Sequence, residues 1–102
     1  MALTGKAKSF LRSQAHDLQP VVQIGKNNVT DSIINTTLKA LEAHELIKIS
    51  VLQNCFVDPK DVAISIAKQT DSDIVQVIGR IIVLYKRSSL PANRIVTNRL
   101  PK

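Results

Sequence analysis

The sequence holds one cysteine, Cys55. A lone cysteine excludes an internal disulfide and any zinc site built from several thiolates. It fits a reducing compartment, and a cytoplasmic location is the expectation. Tryptophan is absent, and Phe10, Phe56 and Tyr85 are the only aromatic residues. So few aromatics argue against a sheet that stacks bases on aromatic side chains; Phe10 and Tyr85 read as core. No apolar run is long enough to cross a bilayer, so no membrane partner is expected. The first residues lack the apolar centre of a secretory signal. Residues Met1 to His16 are basic and free of acids, as a transit peptide can also be, but their apolar spacing favours a helix of the domain. Catalytic patterns are missing too. There is no HExxH helix, no Walker loop and no serine in a nucleophile elbow. His16 and His44 stand near helix ends without partners at metal-ligand spacing, and capping accounts for most aspartates. The expectation is therefore no catalytic residue, no metal, no cofactor and no small-molecule substrate.

What the sequence does have is positive charge: 14 Lys and Arg against 8 Asp and Glu, a net +6. A chain this basic favours polyanions, so nucleic acid, acidic membrane and acidic protein are the candidate partners. A basic domain without a polyanion partner is the plain alternative. With 102 residues, 44% of them apolar, the chain suits one domain with a single core.

Hydrophobic spacing supplies the elements. Leu3, Ala7, Phe10 and Leu11 share one stripe of a helix over Thr4 to Asp17, and Pro20 ends it. A short strand, Val21 to Ile24, leads into the turn Gly25-Lys26-Asn27-Asn28. A second helix runs from about Thr30, its N-cap, to Ala43. Leu46 to Leu52 alternates like a strand. Asp58, Pro59 and Asp61 mark the start of a third helix, with Val57 and Val62 placed to staple it. Ile74 to Ile78 and Ile81 to Lys86 form a hairpin around Gly79-Arg80. Both hairpin strands carry apolar residues on both faces, so the first helix should cover part of the second face. Residues Arg87 to Lys102 read as a basic, largely irregular tail. The expected fold is α/β: one four-stranded mixed sheet with about three helices, in the order α-β-α-β-α-β-β. The two strand-helix-strand units imply parallel pairing.

The Gly25 to Asn28 turn joins a strand to a helix N-terminus, where free N–H groups and the helix dipole favour an anion. Gly25 permits close approach, Lys26 brings charge, and Asn27 and Asn28 bring amide donors. A tight polar turn with no ligand is an equal reading of the loop alone. Further basic groups are Lys6, Lys8 and Arg12 on the first helix, Arg80 at the hairpin tip, and Lys86, Arg87, Arg94, Arg99 and Lys102 at or after the last strand. Each alone is a solvated charge; convergence on the loop would make them a surface.

Three stretches carry a family resemblance: Pro20-Val21-Val22-Gln23-Ile24-Gly25-Lys26-Asn27, His44-Glu45-Leu46-Ile47-Lys48-Ile49, and Gln76-Val77-Ile78-Gly79-Arg80-Ile81-Ile82-Val83-Leu84-Tyr85-Lys86-Arg87. In order and spacing they resemble the stand-alone bacterial CRM-domain proteins, the YhbY-like family, over residues 4 to about 87. The resemblance implies a CRM-type domain over residues 1–87, followed by the tail, residues 88–102. It implies a sandwich similar to the C-terminal domain of bacterial translation initiation factor three. It also implies a non-catalytic RNA-binding protein on ribosomal RNA of a precursor of the large subunit, expected as a monomer. The family's Gly-x-x-Gly loop maps onto Gly25 to Asn28, with Asn28 in place of the second glycine, and Thr30 also fits the pattern. The implied RNA contacts are Gly25, Lys26, Asn27, Asn28 and Thr30, extended by Lys6, Lys8, Arg12, Arg80, Lys86 and Arg87. A protein-interaction module on the ribosome and an RNA-processing enzyme are the alternatives.

Overall fold

The computed structural model describes residues 3–101. Along the chain come α1 (Gly5–Ala15), β1 (Pro20–Ile24), α2 (Asp31–His44), β2 (Leu46–Val51), α3 (Pro59–Thr70), β3 (Asp73–Ile78), β4 (Ile81–Tyr85), a 3-10 turn (Pro91–Asn93) and α4 (Ile95–Arg99). Side chains set the helix starts. Thr4, Thr30 and Asp58 accept from the backbone N–H groups of Ala7, Ile33 and Lys60, which would otherwise be unpaired. Val57 packs against the cluster that holds Val62, as a staple requires.

The strand order is β1-β2-β4-β3. β1 and β2 pair in parallel across α2, while β4 runs antiparallel to both β2 and β3. The second strand-helix-strand unit therefore departs from expectation, because β4 inserts between β2 and β3. The cause lies in composition. β4 reads Ile-Ile-Val-Leu-Tyr, with four of its five residues buried. Such a strand needs neighbours on both edges and cover on both faces. β3 carries Asp73 and Gln76 and buries only Val75, which suits an edge.

One face of the sheet packs under α2 and α3. Val22, Ile24, Leu41, Ile47, Ile49, Val62, Ile66, Ile82 and Leu84 form its core. The other face is closed by α1. Leu11 and Ala15 meet Leu46, Val75, Val83 and Tyr85 there, as the two-faced hairpin strands imply.

The tail is not the irregular segment that its composition suggests. Val96 and Leu100 pack onto the α1 side of the sheet. Two carboxylates at the end of α2 hold the backbone that leads to them. Glu42 accepts from the N–H groups of Ser89 (2.7 Å) and Leu90 (3.2 Å). The fully buried Glu45 accepts from the N–H groups of Ser88 (2.8 Å) and Thr97 (3.0 Å) and from the Thr97 hydroxyl. Glu45 also ends α2 with a φ of 65°, a left-handed value that costs a non-glycine residue. Periodicity missed this docking because the anchoring groups are polar and lie 43 to 52 residues away in sequence. Lys102 lies outside the described residues.

Two outcomes are expected. Glu45→Ala strands buried N–H donors and should lower unfolding free energy by about 2–3 kcal/mol in a denaturant titration. Hydrogen bonds from Ser89 and then Ser88 hold the Glu42 carboxyl below its ordinary 4.5. A lowered carboxyl stabilises the docked tail above that value and loses the contribution as pH falls through the depressed one. The amide NMR signals of Ser88, Ser89 and Leu90 should therefore shift below about pH 4.5.

Candidate nucleic-acid interface

Strand pairing gathers three loops at one end of the sheet. Ile24 pairs with Val51, Ser50 with Ile81, and Ile78 with Ile81. The loop after β1, the loop after β2 and the β3–β4 turn therefore emerge together. The backbone links the first two, since the Leu52 N–H donates to the Ile24 carbonyl at 2.8 Å.

Within the first loop the Asn28 N–H closes a tight turn onto the Gly25 carbonyl at 3.0 Å. Asn28 takes the positive φ, +59°. It thus supplies the left-handed residue that a glycine would supply, as asparagine can. Its Oδ1 is buried without a hydrogen-bond partner. Gly25 serves another purpose. A Cβ there would stand 3.3 Å from Asn54 Oδ1, so the missing side chain lets the two loops touch. Lys26 and Asn27 are exposed at the tip. The Thr30 hydroxyl is engaged as the cap of α2. Asp31 stabilises the first turn of α2 but competes there with an incoming anion. The attraction for an anion therefore rests on Lys26 and the loop amides.

The other expected basic residues divide. Arg80 stands at this end, but its guanidinium has a structural task. Nε donates to the Val51 carbonyl at 2.8 Å, and Nη2 donates to the carbonyls of Leu52 at 2.7 Å and Cys55 at 3.0 Å. It fastens the hairpin turn to the loop after β2. Lys86 and Arg87 follow the last residue of β4 and so lie at the opposite end of the sheet. Lys86 Nζ donates to the Thr70 carbonyl and caps α3. Lys6, Lys8 and Arg12 ride on α1, across the second face. Lys8 borders the same cleft as Asp73, at the far end of β3. Burial pushes the Asp73 carboxyl up, and Lys8 draws it back. Arg94 is engaged with the carbonyls of Ser88 and Ser89. The expected residues thus form a loop-end group of Gly25, Lys26, Asn27, Asn28, Thr30 and Arg80, with the rest elsewhere.

One residue that composition left unassigned joins the loop end. Phe56 is 94% exposed in the loop after β2. The signal was available in its neighbours: Cys55 and Val57 both turn inward, which sends the residue between them out.

The family model of the CRS1 / YhbY (CRM) domain matches residues 3–86. The chain belongs to the CRM-domain family. A Bacillus subtilis relative, "Probable RNA-binding protein YqeI", is 57% identical over 86 residues, 84% of this chain and 90% of the relative. A Haemophilus influenzae "RNA-binding protein" is 38% identical, over 84% of this chain and 87% of its own. The solution structure of Staphylococcus aureus SAV1595 matches with a TM-score of 0.78 at 43% identity, covering 98% of this chain and all of that one. Its coverage reaches beyond residue 86, into the tail that the domain model leaves out.

The left-handed turn is directly testable. Asn28→Ala should cost about 1 kcal/mol of stability, because alanine tolerates positive φ poorly. Asn28→Gly should cost nothing or stabilise, since it also removes the unpaired Oδ1. Chemical denaturation of the two variants measures both.

Proposed function

We propose that this CRM-domain protein binds RNA without catalysis, gripping the sugar-phosphate backbone at the Gly25 to Asn28 turn. The observation that carries this is the turn itself. It projects Lys26 and Asn27 into solvent from a rigid strand end, directly before the start of α2, in a chain of net charge +6. A backbone grip of this kind relies on charge and exposed amides, and a basic chain supplies the long-range attraction. The names of the relatives point the same way. Among the described residues no group of His, Cys, Asp and Glu could hold a metal ion. The mechanism assigned to the loop asks for none.

The RNA is ribosomal in this reading, and the particle is an immature large subunit. Support for that step comes from the resemblance to the bacterial family, whose members associate with such precursors. The protein acts as a monomer in the cytoplasm, as one RNA-docking factor among others on the particle.

Lys26→Ala combined with Asn27→Ala should weaken RNA binding while leaving the circular dichroism spectrum intact. Affinity should fall with salt by about 0.7 log unit per log unit of salt for each single-strand phosphate neutralised, and the variant should show a shallower slope. Unchanged affinity in the double variant would remove the loop from the mechanism. Crosslinking in cells should place the contacts in ribosomal RNA; contacts scattered over messenger RNA would sink the assembly role.

A further inference from the structure

A single exposed apolar side chain is ordinary, but Phe56 has an unusual setting. The residue is 94% exposed while the backbone just before it is pinned. The Cys55 N–H donates to the Leu52 carbonyl at 3.0 Å, and Arg80 grips the carbonyls of Leu52 and Cys55 from the other side. Cys55 and Val57 anchor the loop in the core. The loop that carries the ring is therefore anchored on both sides of it. Two residues earlier, Asn54 lies against Gly25. Two residues of chain span at most about 7 Å, so Phe56 rises from the same short loop that touches the Gly25 to Asn28 turn. Lys26 on that turn and Arg80 under the loop bring positive charge to this end, against the exposed Asp58 carboxylate two residues after Phe56.

An apolar, flat ring on an anchored loop, with cations near it, matches the chemistry of a nucleotide, which joins a π-face to a phosphate. An apolar protein partner would not be drawn to the flanking charges. We propose that Phe56 is a stacking platform for one unpaired base of an RNA strand whose backbone is held by the Gly25 to Asn28 turn. The inference rests on the RNA-binding function proposed above and sharpens it. A base inside a duplex is already stacked and cannot reach the ring, so the site selects single-stranded, looped or bulged RNA. The site carries one aromatic rather than a row, so it marks a single nucleotide and leaves the sequence on either side free.

The test compares the wild type, Phe56→Ala and Phe56→Trp on a short single-stranded RNA oligonucleotide and on a duplex of equal length. Phe56→Ala should weaken single-strand binding roughly 5- to 150-fold, the range for losing one base–aromatic stack. It should leave duplex binding and the salt slope unchanged, because stacking releases no counterions. Phe56→Trp should restore affinity. The chain has no other tryptophan, so quenching of its emission on adding single-stranded RNA would report the stack directly. The ring contributes almost nothing to the core, and circular dichroism should show all three proteins folded alike. Wild-type affinity retained in Phe56→Ala would overturn the stacking role, and so would equal losses on single strand and duplex. If Lys26→Ala with Asn27→Ala loses affinity in the same assay, the RNA-binding reading survives that failure. A wild type that binds no RNA sinks both. Self-association in sedimentation that Phe56→Ala abolishes, with RNA affinity untouched, would give the ring to a second copy of the chain and overturn the proposal.

Discussion

A strand without a polar residue on either face cannot sit at the margin of a sheet. β4 is that strand, and most of the architecture follows from hiding it. Ile82 and Leu84 turn towards α2 and α3, while Val83 and Tyr85 turn the other way and need a second cover. Burying a side chain of this size is worth about 1.5–3 kcal/mol relative to leaving it wet, so four such residues outweigh any preference for a simpler strand order. The sheet takes β4 into its interior and pushes the more polar β3 to the edge. α1 and the tail then close the second face.

That cover brings the tail under the control of α2. Glu42 and Glu45 stand at the last turn of one helix and collect N–H groups from a segment far along the chain. Glu45 adopts a strained backbone at the point where its carboxylate becomes most useful. A buried carboxylate is costly unless its hydrogen-bonding capacity is filled, and here backbone donors and a hydroxyl fill it. At the other end of the sheet α2 and α3 begin, and the turn after β1 and the loop after β2 lie side by side ahead of them.

Much of this was legible in the residues. Caps at Thr30 and Asp58 lie where the spacing put them, and Gly79 takes the positive φ that its turn requires. The need for a second cover could be read from the two-faced hairpin. The strand order could not, because periodicity reports which face is buried and says nothing of which neighbour buries an edge. The tail was opaque for a related reason: its anchors are hydrogen bonds to distant carboxylates, and these leave no repeat in the sequence. In the candidate site the Gly25 to Asn28 turn was legible. The basic residues were not separable, since a lysine that caps a helix and a lysine that meets solvent look alike in one dimension. Lys86 and Arg80 show this most clearly.

Arg80 also has a meaning beyond fastening two loops. The partners of Nε and Nη2 are neutral carbonyls, so these donors are engaged while the charge is not cancelled by them. A free lysine that closes on an anion surrenders rotamer freedom when it does so. The Arg80 guanidinium gave up that freedom when the chain folded. Its field is already oriented before any anion arrives, which makes it a preorganised part of the surface rather than a recruit. Replacing it by lysine would keep the formal charge and forfeit the orientation, because an ammonium lacks the planar fork that spans three carbonyls.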